Sequence, residues 1–203
     1  MLKKMACAGT ACMVLLVSPV VAKSYDLGGV EIEVPNPPGF EALQKQALLK
    51  KLAQGTDNTT TYLEYFEPKG GEQNSKSWML LQTLTGDLNA MTTKREFAQL
   101  RAGLRSHTMD AEKTILEDPI VSDAKFMGID EDTDEWIMSS QAVRLSNVPG
   151  HVGDPVAMIV STLFVKGKVV TLSTYRIVRR LADVAEAQRE SRLWALSVLN
   201  ANR

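Results

Sequence analysis

Two β-rich runs, Val156 to Val165 and Lys168 to Val178, are separated only by Lys166-Gly167. Two residues are too few for a crossover, so the runs must fold back on each other as antiparallel strands. Glycine at the second turn position supplies backbone freedom that such a turn requires. A second hairpin is read upstream, Ala124 to Ile129 and Glu135 to Leu145, around an acidic tip. A sheet built from hairpins is mostly antiparallel, and helices must cover it to complete a core.

The remaining segments supply those helices. Val30, Ile32 and Val34 alternate with Glu31 and Glu33, the period of a half-buried strand. Pro35-Asn36-Pro37-Pro38-Gly39 ends it, because proline offers no ladder donor. Phe40 to Gln54 reads as a helix with Leu43, Ala47, Leu48 and Leu52 as its apolar stripe, closed by Gly55. Thr59 to Phe66 and Ser77 to Thr85 read as strands joined by the polar loop Pro68 to Lys76.

Thr93-Lys94-Arg95-Glu96 fits a capping box. It opens a helix carrying Phe97, Leu100 and Leu104 on one face, which ends near Ser106-His107 or runs on to about Glu117. A last helix, Val184 to about Asn200, begins at Asp183 with Glu186. It lines up Ala187, Ser191, Trp194 and Val198, with Leu193, Leu196 and Leu199 widening the stripe. The order β-α-β-β-α-β-β-β-β-α implies an α+β fold: a mostly antiparallel sheet with helices packed on one or both faces, an α/β/α sandwich.

Residues 1–22 have the three parts of a secretory signal peptide. Lys3 and Lys4 give the basic start, Met5 to Val17 the apolar run, and Val20-Val21-Ala22 the small-residue exit. A membrane span needs about 20 predominantly apolar residues, and this stretch contains Gly9, two threonines and Pro19. Cleavage after Ala22 is therefore expected, leaving one domain over 23–203; an uncleaved leader acting as anchor is the alternative. Gly9-Thr10-Ala11 before Cys12 lacks the upstream leucine of a lipoprotein motif.

Both cysteines, Cys7 and Cys12, fall in the leader. The expected mature chain thus has no disulfide, thiol nucleophile or zinc-thiolate site. A cysteine-free exported domain of this size points to a bacterial envelope, periplasmic or secreted. The leader also removes Lys3 and Lys4 from the 23 basic residues and none of the 24 acidic ones, so the mature chain is mildly acidic. Outside the leader, basic runs never exceed two residues, which argues against nucleic acid as partner.

Chemical motifs are few. Asp130, Asp132 and Asp134 match the first, third and fifth ligands of a calcium loop, but Glu135 replaces the turn glycine and Gln141 the closing glutamate. The segment reads as a solvated hairpin tip. His107 stands at a helix end, where a cation suits the dipole. His151 lies in the long loop 147–155, where Asp154 could orient its ring; His151 and Asp154 are the candidate binding-loop residues. Nucleophile-elbow, phosphate-loop and dinucleotide fingerprints are absent from the sequence, so no catalytic, cofactor or metal residues are assigned. Trp78, Trp136 and Trp194 read as core rather than a stacking platform.

The strand Val30 to Val34, the turn Val34-Pro35-Asn36-Pro37-Pro38-Gly39-Phe40 and the element order through the last helix resemble the PsbP-like group of α/β/α sandwich domains. The resemblance covers most of the mature chain in layout and implies a scaffold that serves as an accessory or protein-binding module. The expectation is an envelope accessory protein that binds another protein or a small ligand. The alternatives are an envelope hydrolase using the His151 loop and a membrane-complex subunit held by the leader.

Overall fold

A computed structural model describes residues 22–55, 58–71, 76–106, 121–146 and 153–203. A two-stranded sheet is formed by β1 (Ala22–Asp26) and β2 (Glu31–Pro35). The main sheet contains β3 (Phe40–Leu43), β4 (Thr60–Pro68), β5 (Ser77–Leu84), β6 (Val121–Asp132), β7 (Trp136–Leu145), β8 (Pro155–Val165) and β9 (Lys168–Ile177). Its spatial order is β3-β4-β5-β9-β8-β7-β6, with each described pairing antiparallel. Among the described residues the α-helices are α1 (Gln46–Gly55), α2 (Lys94–Ser106) and α3 (Leu181–Ala201). None of the described helices is long and apolar enough to cross a membrane.

The β8–β9 hairpin turns at Lys166-Gly167 as its spacing requires. Val165 pairs with Lys168, and both turn residues are left-handed, Lys166 at φ 49° and Gly167 at φ 80°. Two positive φ values give the turn the twist of its flanking strands. Just beyond it, the buried Lys168 ammonium donates to the Leu88 carbonyl at 3.1 Å and the Ala90 carbonyl at 2.7 Å. The β5–α2 connection is thereby fastened to the sheet, and the buried charge is solvated by carbonyl dipoles.

Helices lie on both faces. Ser161 on β8 faces Ser191 of α3, so Ile159, Leu163 and Val165 share that face by strand alternation. Trp194 is fully buried there, packed edge-on against Phe66 at 5.1 Å, with its indole N–H on the Pro35 carbonyl at 2.9 Å. At about 25 cal/mol per Å2 and roughly 200 Å2 of ring, this burial contributes about 5 kcal/mol before ordering entropy. Phe164, one residue out of phase, points to the opposite face and stacks on Phe97 of α2 at 5.4 Å. The chain is therefore an α+β sandwich with helices on both faces of its sheet.

Strand β4 is clasped on both faces by the same trio of residue types. On the α3 face, Glu64 accepts from Lys23 Nζ at 2.6 Å and Tyr25 Oη at 2.8 Å; its side chain is only 5% exposed. Elsewhere on β4, Glu67 accepts from Tyr65 Oη at 3.0 Å and pairs with Lys45. Each lysine also sits over its tyrosine ring, at 4.9 Å for Lys23 and 4.5 Å for Lys45. Burial, then the carboxylate partner, raises both phenols well above the ordinary tyrosine value.

Several elements differ from their sequence reading. The segment read as helix from Phe40 begins as the edge strand β3, because β4 offers it a ladder from Phe40↔Pro68 to Leu43↔Tyr65. The helix starts only at Gln46, which shifts its phase: Leu49 is its buried residue and Ala47 is exposed. Strand β1 was not read at all; it starts at Ala22, the expected cleavage residue, opposite Pro35. The rest of the leader, His107 and His151 lie outside the described residues. Leu104 and Leu193 are exposed rather than core. Trp136 and Trp194 are buried as expected, while Trp78 is half-buried and stacked on Tyr175 at 5.2 Å.

Candidate functional site

The acidic run Asp130 to Glu135 makes the exposed hairpin tip that its composition suggests, with Asp134 fully exposed, and arginines anchor its flanks. Thr133 closes the turn: its amide donates to the Trp136 carbonyl at 2.8 Å and its hydroxyl accepts from the Trp136 amide at 3.2 Å. On the α2 side, Arg101 Nη1 donates to Asp132 at 2.6 Å, Arg101 Nη2 reaches Asp134 at 3.1 Å, and Arg105 also pairs with Asp132. On the α3 side, Arg192 pairs with Glu131, and Arg203 with Glu135 at 2.6 Å. The hairpin is thus held by arginines from both helical layers, and the cage of a calcium loop is not formed. Among the described residues no group of His, Cys, Asp or Glu is placed to hold a metal ion.

A β-bulge divides these acids between the two layers. The β6–β7 register passes from Ile129↔Ser139 to Glu131↔Met138, leaving Asp130 as the extra residue. Regular alternation would point Glu131 away from α3, whereas the bulge lets Asp130 and Glu131 both meet it. Asp132 then falls on the α2 face, where Arg101 takes it.

The result is an open cleft of about 390 Å3, lined by Asp130, Glu131, Met138, Gln188, Arg189 and Arg192. The Asp130 carboxylate accepts from the Ser140 hydroxyl through Oδ2 and from Gln188 Nε2 through Oδ1 at 2.9 Å. The same amide reaches Ser140 Oγ at 3.1 Å, and Ser140 itself is fully buried beneath the cleft. Partial desolvation raises the Asp130 carboxyl above the ordinary aspartate value; the Ser140 and Gln188 donors pull it back, and the Glu131 charge pushes it up again. Arg192 is occupied by Glu131. Arg189 is exposed and has no hydrogen bond or ion pair among the described residues.

In the cleft the Ser140 hydroxyl stands beside the Asp130 carboxylate, and Ser140 is covered. What the cleft offers is one carboxylate fixed by neutral donors and one guanidinium with a free fork of donors.

Of the residues proposed from sequence, Asp154 sits at the foot of β8, where its carbonyl accepts from the Leu145 amide at 3.3 Å. It lies at the far end of β7 from the acidic turn and does not line the cleft. Its pairing with His151 involves a residue outside those described. Sequence reasoning missed Asp130, Ser140, Gln188 and Arg189 as a group. The nearest signal was Gly128 inside a strand run (φ 141° in the structure), which marks the adjoining slip at Phe126/Gly128 and not the one at Ile129/Glu131 that frees Asp130.

No family model matches the chain, and no curated protein matches it. Solved structures similar in layout include the following two. One is the Ran-binding protein Mog1p of Saccharomyces cerevisiae, at 12% identity and a TM-score of 0.38, covering 91% of this chain and 93% of that one. The other is a point mutant of protein Mog1, at 12% identity and a TM-score of 0.40, covering 90% and 92%. Likeness at that level carries no argument about function.

Proposed function

We propose that this protein is an exported accessory protein of the cell envelope, carried there by the leader at residues 1–22, which binds another protein or a small ligand in the Asp130 cleft. The observation that carries the reading is a pair of opposite charges in one open cleft. Asp130 and Arg189 line it together without bonding to each other, while the neighbouring Glu131 and Arg192 are paired. Polar groups that converge on one cleft are what orients a ligand there. The PsbP-like layout, expected to serve as a binding module, supports the same reading.

Site-specific photocrosslinking in intact cells tests it. A crosslinker at position 189 is expected to trap a partner or ligand, and one at Lys50, on α1, is not. Trapping from position 50 alone, or from neither position with the protein recovered as a bare monomer, overturns the reading. Intact mass of the exported form tests the address: a chain starting at Lys23 is expected, and retention of residues 1–22 would make the protein membrane-anchored instead.

A further inference from the structure

We infer that the ligand of the cleft is a zwitterion of the size of an amino acid or dipeptide, its ammonium group received by Asp130 and its carboxylate by Arg189. The inference rests on the cleft being the binding site, and goes further by naming what it takes.

The first ground is how the charges are distributed. Four charged side chains line the cleft, Asp130, Glu131, Arg189 and Arg192. One of each sign is consumed in the Glu131–Arg192 pair. The remaining two share the same cleft without forming a salt bridge, so a ligand that spans them must carry the complementary charges in reverse.

The second ground is hydrogen-bond capacity. Each Asp130 oxygen accepts one bond, Oδ1 from Gln188 and Oδ2 from Ser140, and a carboxylate oxygen has a second lone pair. Both donors are neutral, so they fix the group without neutralising it. An incoming ammonium finds an oriented acceptor whose charge is still available. Arg189 presents a planar fork that matches a carboxylate in two parallel bonds.

The third ground is exclusion. A simple anion entering the cleft meets the unneutralised Asp130, and a simple cation meets Arg189. Each is attracted by one half of the site and repelled by the other, whereas a zwitterion is attracted by both. The volume, about 390 Å3, lies at the small end of ligand pockets and suits a short molecule.

The test is a titration of the isotopically labelled protein followed by amide chemical shifts. Leucine and glycyl-leucine carry both charges; N-acetyl-leucine keeps only the carboxylate, and leucine amide only the ammonium. At least one of the first two is expected to shift the amides of Asp130, Glu131, Gln188 and Arg189, with both capped compounds weaker by about tenfold or more. Asp130→Asn and Arg189→Met are each expected to weaken the zwitterion by about tenfold while leaving the thermal transition in place. Capped compounds that bind as tightly as the zwitterions overturn the inference, as does the absence of shifts with all four compounds at millimolar concentration. If position 189 still crosslinks in cells, that result removes the zwitterion and leaves the cleft as a site; if crosslinking also fails, both fall.

Discussion

Glu64 on β4 and Asp130 on β6 are both carboxylates on the α3 face that accept two hydrogen bonds, and they have opposite roles. Glu64 is covered, and its partners are an ammonium and a phenol that belong to β1. Asp130 is exposed, and its partners are a hydroxyl and an amide. The first arrangement neutralises the charge and binds one piece of chain to another. The second orients the charge and leaves it unneutralised. The chemistry of the donors, more than their number, separates a fastening from a receptor.

Removing Glu64 should break the comparison most severely. Glu64→Ala leaves the half-buried Tyr25 hydroxyl and the Lys23 ammonium without their acceptor, and should cost about 2–3 kcal/mol in urea unfolding. Glu64→Gln, which keeps an acceptor, should cost less. Lys23→Met should follow at about 1 kcal/mol, because Lys23 is 58% exposed and its attraction is screened.

Alkaline titration reads the clasps directly. A phenol raised by burial keeps its proton in the folded state. The stability it confers is complete below the ordinary tyrosine value of about 10 and is lost as pH rises beyond it. Ultraviolet titration should therefore find Tyr25 and Tyr65, among the four tyrosines, protonated until the protein unfolds. Ionisation of all four near pH 10 with the fold intact would count against closed clasps.

Asp130→Asn should have the smallest effect on stability, within about 0.5 kcal/mol at neutral pH. Its pH dependence has a fixed sign. The folded state holds the Asp130 proton more tightly than the unfolded chain does, so ionisation lowers stability as pH rises through the carboxylate range. The variant should gain on the parent over that interval, measured by paired melts at successive pH values. An identical offset at every pH would place Asp130 in an unperturbed environment.

Much of the framework was legible in the sequence because it is local. The Lys166-Gly167 turn, the Thr93–Glu96 box, in which Thr93 N donates to Glu96 at 2.7 Å, and the Ala187–Ser191–Trp194–Val198 stripe all depend on neighbours close in the chain. Strand β3 was not legible because Phe40 to Leu43 gains its ladder from β4, which overrides helical spacing. The cleft was not legible because Gln188 and Ser140 are separated by 48 residues and meet only through a bulge. A run of five acids around one threonine also conceals which arginines will claim them; periodicity says nothing of the two helices above and below.

The irregularity that creates the cleft also bears on how these molecules behave toward one another. Strand β6 is the longer of the main sheet's two edge strands, β3 being the other, and its register slips at Val121/Asp123, Phe126/Gly128 and Ile129/Glu131. A straight border of that length would offer unpaired amides and carbonyls to any other extended chain, the route by which sheets join into fibres. Each slip displaces that row of donors and acceptors and adds local twist, so no long, flat template is left. The bend that aims Asp130 at α3 therefore also helps keep neighbouring copies apart in a crowded solution.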